Sequence, residues 1–441
     1  MLENNHARVE RERSILTRLI SPDQAIEGDP LEELEGLATT AGTVVVGQLV
    51  QRRSRPDQTT YFGKGKVEEL HDLVQQRDAD LVIVDNDLTP AQVRNLEKAI
   101  SVKVIDRTEL ILDIFAAGAR TYEARLAVEL AQLEYSLPRL KRMWTHLSRQ
   151  SMGVGMRGPG EKQLEVDRRL ATKRIHDLKT ELGKVEQRRR REVQSRKDTA
   201  TVSLVGYTNA GKSTLMNALT RAEVLAEDQL FATLDTRTRR WHLDHWGSVL
   251  LSDTVGFIRD LPHGLVASFK ATLEEARQAD LLLHVADASN PQVCQQISAV
   301  DAVLTEIGIE AKDTLLLLNK IDQVESPAAL DRLLERYPAG IPVSAAKRLH
   351  FPNLMDAVGQ TLSREFLDLE VDVDPADGKL LAHLSAHGEV LSQIADEHLI
   401  TVHVRIPARA MGEVKRSAVA CRDVQPSRGT PKRLSSIGPS H

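Results

Sequence analysis

The chain has 441 residues, 41% of them hydrophobic and 3% aromatic, with a formal net charge of −5; that is length enough for about three domains, each with its own core. Two cysteines without a pairing pattern, a polar start (Met1-Leu2-Glu3-Asn4-Asn5) and no apolar run of membrane-spanning length argue against a secreted or membrane-integral protein and lead us to expect a cytoplasmic one. The small net charge conceals a basic stretch, since 18 Lys and Arg stand against 8 Asp and Glu between Leu137 and Ala200.

In chain order, residues 1–120 read as an α/β domain. Strand candidates Thr43–Gly47, Leu81–Asp85 and Val102–Ile105 alternate with helical stretches near Lys66–Gln76, Pro90–Ala99 and Thr108–Phe115. Pro90 suits a first helical turn, with Thr89 or Asp87 as its cap. Gly63-Lys64-Gly65-Lys66 is too short for a phosphate loop and reads as a strand-to-helix turn. Residues 121–198 read as a basic helical hairpin. A first helix from Tyr122 to Trp144 is followed by a glycine-rich loop at 153–160, and a second helix carries an apolar seam of Leu164, Ala171, Ile175, Leu178, Leu182 and Val185. Arg188-Arg189-Arg190-Arg191 near its end faces solvent or a partner. Such charge segregation suits a surface that meets a phosphate backbone, with the glycine-rich tip and its flanking Arg149 and Arg157 approaching nucleic acid; a solvated helix pair with a plain linker is the alternative.

Residues 199–367 alternate strands and helices as a mostly parallel, doubly wound sheet requires. The strand candidates are Thr201–Val205, Arg239–Asp244, Val249–Ser252, Leu281–Ala286, Thr314–Leu318 and Ile341–Val343. Between the first strand and its helix lies Gly206-Tyr207-Thr208-Asn209-Ala210-Gly211-Lys212-Ser213, a complete phosphate-binding loop whose N–H groups converge on a helix N-terminus. In that setting Lys212 neutralises β- and γ-phosphates and Ser213 ligates Mg²⁺. Asn319-Lys320-Ile321-Asp322 after Thr314–Leu318 selects the base. The Asp322 carboxylate can accept from guanine N1–H and N2–H₂, donors that adenine lacks. Asn319 would brace the loops, the Lys320 stem would cover the base, and Ser344-Ala345-Ala346 would supply an N–H to guanine O6. Asp253-Thr254-Val255-Gly256 places a carboxylate near the Mg²⁺ shell and a glycine N–H at the γ-phosphate. Phe231-Ala232-Thr233-Leu234-Asp235 offers a hydroxyl to Mg²⁺; Thr233 is preferred, although spacing alone leaves Thr236 and Thr238 open. The catalytic assignment is therefore Lys212, Thr233, Gly256 and Asn209.

Phe257 stands where a Ras-like enzyme places the Gln that orients the attacking water, so unaided hydrolysis should be slow and raised by a partner or ion. Two readings of Asn209 stand, one in which it helps hold a monovalent cation such as K⁺ and one in which it stabilises the loop. Residues 368–416 read as a small C-terminal domain with a strand-like run at Leu399–Ile406, and 417–441 as a disordered tail.

The glycine-rich run ending Arg157-Gly158-Pro159-Gly160-Glu161-Lys162-Gln163-Leu164-Glu165, then Asp167-Arg168-Arg169, together with the phosphate loop, Phe231–Asp235 and Asp253–Phe257, resembles the HflX family of translation-factor-related GTPases over roughly residues 40–366. The chain departs from that family at Lys162, where Thr or Ser is usual, and at Asp235-Thr236-Arg237, which replaces an Asp-Pro-Thr run. The resemblance implies a GTPase using GTP/GDP and Mg²⁺, the metal bound by Ser213 and Thr233. It also implies binding to the large ribosomal subunit and its rRNA, separation of stalled or idle ribosomes, and hydrolysis stimulated by the ribosome. DNA is not among the expected partners, and a monomer is expected. Two rivals are a ribosome-assembly or RNA-maturation GTPase, and an RNA-remodelling module driven by ATP through the N-terminal domain. The second rival predicts hydrolysis that survives Lys212→Ala.

Overall fold

The structure, a computed structural model, describes residues 12–23, 28–143, 159–195, 200–220, 237–243, 247–259, 275–306, 308–309, 313–363, 366–396, 398–408 and 411–424. Two compact units divide the chain, one of Met1–Glu192, Thr201–Trp241 and Leu250–Leu354, the other of Val193–Ala200, His242–Val249 and Met355–His441.

The first unit opens with a parallel sheet in the order β2-β1-β3-β4, formed by β1 (Arg13–Ile20), β2 (Val44–Arg52), β3 (Leu81–Val84) and β4 (Lys103–Asp106). Helices α1 (Glu32–Thr40), α2 (Lys64–Arg77), α3 (Pro90–Ile100) and α4 (Arg107–Gly118) follow the successive strands. Strand β1 was not among the sequence candidates, yet it is central. Polar residues interrupt its apolar run, but they are buried and bonded, as when Thr17 Oγ1 donates to the Ile83 carbonyl at 3.2 Å. Thr89 caps α3 in a reciprocal box with Gln92, Pro90 occupying the first turn. Gly63 is the N-cap of α2, which begins at Lys64.

Helix α5 (Tyr122–Met143) and helix α6 (Pro159–Ser195) form the predicted pair. Leu126, Leu130 and Leu133 pack against Ile175, Leu178 and Leu182. Across the seam Arg174 clasps Glu129 through two bonds of 2.7 Å, and Lys179 meets Glu134 at 2.8 Å. The base of α5 is tied to the sheet where Tyr135 Oη and Arg139 donate to Asp106 at 2.6 and 3.0 Å. Residues 144–158, which include most of the glycine-rich run, lie outside the described residues.

The six-stranded sheet that follows has the order β10-β9-β8-β5-β7-β6. Its strands are β5 (Thr201–Gly206), β6 (Arg237–Leu243), β7 (Gly247–Asp253), β8 (Leu281–Asp287), β9 (Thr314–Asn319) and β10 (Ile341–Pro342). Pairings from β10 through β7 are parallel, as the α/β reading requires. Its core is not separate from that of the N-terminal sheet. Leu16, Leu34, Ile83 and Phe115 belong to the same apolar cluster as Val205, Val255, Phe257 and Leu282, where the sequence suggested independent cores.

In the second unit, β11 (Phe366–Val373), β12 (Glu389–Ala395), β13 (Ile400–Pro407) and β14 (Ala420–Asp423) make an antiparallel sheet in the order β12-β13-β11-β14. Helices Gly378–His387 and Met411–Ser417 complete a βαββαβ, ferredoxin-like arrangement. Strand β14 lies within the first residues of the tail expected from residue 417, whose remainder, 425–441, lies outside the described residues. Too short to announce itself by period, it is held by pairing with β11 and by the Arg422–Asp372 ion pair at 2.6 Å.

Candidate functional site

The phosphate loop leaves β5 and enters helix α7 (Lys212–Thr220), putting its N–H groups at a helix N-terminus beyond the carboxyl edge of the parallel sheet. Two of its glycines are required by geometry. Gly206 has φ +149° and a Cβ there would run into the Val285 carbonyl; Gly211 has φ +90° and a Cβ there would run into the Asn319 side-chain amide. Asn209 is exposed and left-handed, with φ 58°, while Thr208 and Ala210 are buried.

Lys212 folds back so that Nζ donates to the carbonyls of Gly206 and Tyr207 at 3.0 and 2.8 Å. Burial pushes its ammonium down to about 8, against the opposing attraction of Asp253. Ser213 Oγ donates to Asp253 Oδ2 at 2.6 Å, bringing a hydroxyl and a carboxylate together at the helix start. Such a pair of hard oxygen donors fits Mg²⁺. Thr254 Oγ1 donates to the Leu204 carbonyl at 2.7 Å and anchors the end of β7, and Val255 is buried beside it. Gly256 passes directly over the loop, where a Cβ would lie 2.8 Å from Thr208 Cα and 3.2 Å from Lys212 Nζ. The Phe257 ring is buried in the shared core, and its backbone is zipped to the loop. Its N–H donates to the Gly206 carbonyl at 3.1 Å, and its carbonyl accepts from Thr208 at 2.6 Å.

Around the base position, Asn319 joins three segments. Its Nδ2 donates to the Ala210 carbonyl at 2.8 Å and its Oδ1 accepts from the Ala345 N–H at 3.0 Å. Lys320, left-handed at φ 61°, pairs with Asp287 at 2.8 Å. Ile321 opens a short 3₁₀ turn carrying Asp322, whose Oδ1 accepts from Ser344 Oγ at 2.7 Å. Of the three amides suggested for guanine O6, that of Ala345 is already engaged by Asn319; Ala346 is exposed and Ser344 buried. The stretch Phe231-Ala232-Thr233-Leu234-Asp235 lies outside the described residues, as does Thr236; Thr238 sits exposed in β6.

Sequence reasoning missed a charge cluster behind the loop, buried at Asp85 and Arg107 and half-buried at Glu33 and Arg259. Tyr207 Oη donates to Glu33 at 2.8 Å and accepts the Arg259 N–H at 2.7 Å. Arg107 reaches Glu33 at 2.6 Å, Asp85 at 2.7 Å and the Arg259 carbonyl at 3.0 Å. No local pattern betrays these residues, because their partners are far away in sequence.

A phosphate loop with a metal-type Ser–Asp pair, an N-K-x-D turn and a mostly parallel sheet define a P-loop GTPase. Profiles described as "GTP-binding GTPase N-terminal", "GTP-binding GTPase Middle Region" and "50S ribosome-binding GTPase" match residues 28–116, 118–196 and 201–320. The chain is 47% identical to GTPase HflX of Magnetococcus marinus, covering 95% of this chain and 98% of that one. It is 46% identical to GTPase HflX of Escherichia coli K12, covering 86% and 90%. The chain belongs to the HflX family of GTPases, and it hydrolyses GTP. Among solved structures, a GTP-binding protein from the archaeon Sulfolobus solfataricus in complex with GDP is similar at 25% identity and a TM-score of 0.42, covering 80% of this chain and 99% of that one.

Proposed function

We propose that this GTPase is a ribosome-directed switch. It binds the large ribosomal subunit with GTP in place, separates stalled or idle ribosomes, and leaves after hydrolysis. Support for the nucleotide half comes above all from Asn319, which ties the phosphate loop at Ala210 and the following loop at Ala345 to the turn that carries Asp322 by two side-chain bonds. In this reading Lys212 lies against the β- and γ-phosphates, Asp322 selects guanine and Gly256 meets the γ-phosphate. Ser213 holds Mg²⁺ with Thr233, and Asp253 supports that shell. The metal supplies charge neutralisation at the phosphates. Lys212 must exchange its two loop carbonyls for phosphate oxygens, and its depressed ammonium makes nucleotide entry favour proton retention there. The buried Phe257 ring cannot orient water, which leaves acceleration to the ribosome or to a K⁺ ion beside Asn209.

The ribosomal half rests on the profile described as "50S ribosome-binding GTPase" over residues 201–320 and on the basic hairpin, whose α6 exposes Arg168, Arg169, Lys173 and Arg188. Those side chains would contact rRNA phosphates and make binding salt-dependent. A cytoplasmic monomer fits such a partner. Cosedimentation with purified large subunits tests the reading. Binding with a non-hydrolysable GTP analogue and release with GDP is the expected result; no binding in either state refutes it.

A further inference from the structure

The N-terminal sheet has a crevice at its own carboxyl edge. Chain connections run outward from β1 to β2 and then cross back over β1 to β3, so the order β2-β1-β3-β4 reverses direction between β1 and β3. Open α/β sheets take their ligands at such a reversal. Arg18 from β1, Asp85 after β3 and Arg107 after β4 line this one, with Glu33 from α1 beside them.

Its occupant is the nucleotide domain's own Arg259. The guanidinium donates to Asp85 at 2.9 Å and lies 3.7 Å from Glu33. The same residue's backbone is held at both ends, its N–H by Tyr207 Oη at 2.7 Å and its carbonyl by Arg107 at 3.0 Å. Tyr207 is itself a phosphate-loop residue, and Arg259 stands three residues after Gly256. Between them, Phe257 is bonded to the loop through both its N–H and its carbonyl. A displacement of Gly256 toward or away from a γ-phosphate therefore pulls on bonds made to the N-terminal domain. These bonds are strong enough to matter. Burial pushes the Glu33 carboxyl up, but Arg107, Arg259 and the Tyr207 hydrogen bond outweigh it and leave the group below its ordinary range, hence ionised at neutral pH. A cavity of about 360 Å³ bordered by Arg18, Glu33, Tyr207, Asn209 and Arg259 gives the latch room to shift.

We infer that Tyr207 and Arg259 are positioning residues through which the N-terminal domain, gripping Arg259 as an internal ligand, sets the chain's preference between GTP and GDP. This rests on the nucleotide-site reading above. The latch holds Gly256 closed over Thr208 and Lys212, the arrangement a γ-phosphate needs. Loosening it costs triphosphate binding more than diphosphate binding.

The test titrates the full chain with a fluorescent GDP and a fluorescent non-hydrolysable GTP analogue in Mg²⁺, comparing the unmodified protein with Tyr207→Phe, Arg259→Ala, Arg259→Lys and the Tyr207→Phe/Arg259→Ala double variant. Tyr207→Phe and Arg259→Ala each lower the ratio of triphosphate to diphosphate affinity about tenfold, the worth of one hydrogen bond to a buried charged group. Arg259→Lys recovers part of the loss, because an ammonium still pairs with Asp85, and the double variant loses less than the product of the single effects. Should Tyr207→Phe fail to fold, as judged by its circular dichroism melt, the two Arg259 variants carry the comparison. Equal losses for both nucleotides, an unchanged ratio, or a shift toward the triphosphate overturns the inference. Failure of the unmodified chain to bind either guanine nucleotide would strike the underlying site reading instead, and Lys212→Ala serves as the reference for that outcome.

Discussion

Truncating Asn319 to Ala isolates the brace on which the proposed nucleotide site depends. The side chain is 1% exposed and makes two bonds of 2.8 and 3.0 Å, to the Ala210 carbonyl and from the Ala345 N–H. Removing it leaves two buried backbone groups without those partners, at about 1–3 kcal/mol each. Partial relaxation and water entry reduce the sum to about 2–4 kcal/mol, which is about 30- to 700-fold in affinity if it falls on binding. Isothermal titration with GDP measures that share, and urea unfolding measures what falls on stability instead. Asn319→Asp sharpens the comparison. It keeps an acceptor for Ala345 but sets a carboxylate oxygen against the Ala210 carbonyl, so it should bind no better than Asn319→Ala. A GDP affinity within about threefold of the unmodified chain, combined with an unchanged urea midpoint, would refute the bracing argument.

Four further outcomes follow from other parts of the molecule. Asp322→Asn should transfer base preference from guanine to xanthine, since a side-chain amide can donate to the 2-oxo group where the carboxylate accepted from the amino group; competition of XDP against GDP measures it, and unchanged guanine selectivity would count against Asp322 as the base-reading residue. Gly211→Ala should weaken GDP binding at least as much as Asn319→Ala, because the residue sits at φ +90° and a methyl would strike the Asn319 amide; near-normal binding would contradict that geometry. Leu178→Ala, at a fully buried position of the helix pair, should destabilise the hairpin by about 2–5 kcal/mol and reduce cosedimentation with large subunits while leaving GDP affinity near normal. For pH dependence, the folded Glu33 carboxyl lies below its ordinary 4.5, so its stabilising contribution is complete above that value and is lost as pH falls through the lower, folded-state value. The stability advantage of the unmodified chain over Glu33→Gln, read from urea midpoints, should therefore be present at pH 7 and shrink as pH falls below the ordinary carboxyl value.

Local chemistry made much of this protein legible. Phosphate binding requires glycines and a lysine at set spacing, guanine selection requires a carboxylate at a strand end, and the hairpin seam follows from helical period; these signals need no knowledge of distant residues. The six-stranded sheet and α3, with its Thr89 cap, were readable for the same reason. Strand β1 was not, since its buried Ser14, Thr17 and Arg18 look like solvent-facing residues until their partners on other strands are known. Strand β14 depends on pairing with β11, which has no local signature in a run of four residues. Arg259, Tyr207 and Glu33 show the limit most plainly. Taken alone they are a charged residue after a glycine motif, a variable position of a phosphate loop and an acid in an amphipathic helix. Only folding brings Glu33 within 2.8 Å of Tyr207, 174 positions away. By itself the sequence determined that the chain is a guanine-nucleotide enzyme, because that ligand chemistry is encoded in short motifs. The tertiary structure alone decided that the two α/β sheets share one core and one charge cluster, because buried ion pairs and apolar contacts are settled by which surfaces meet.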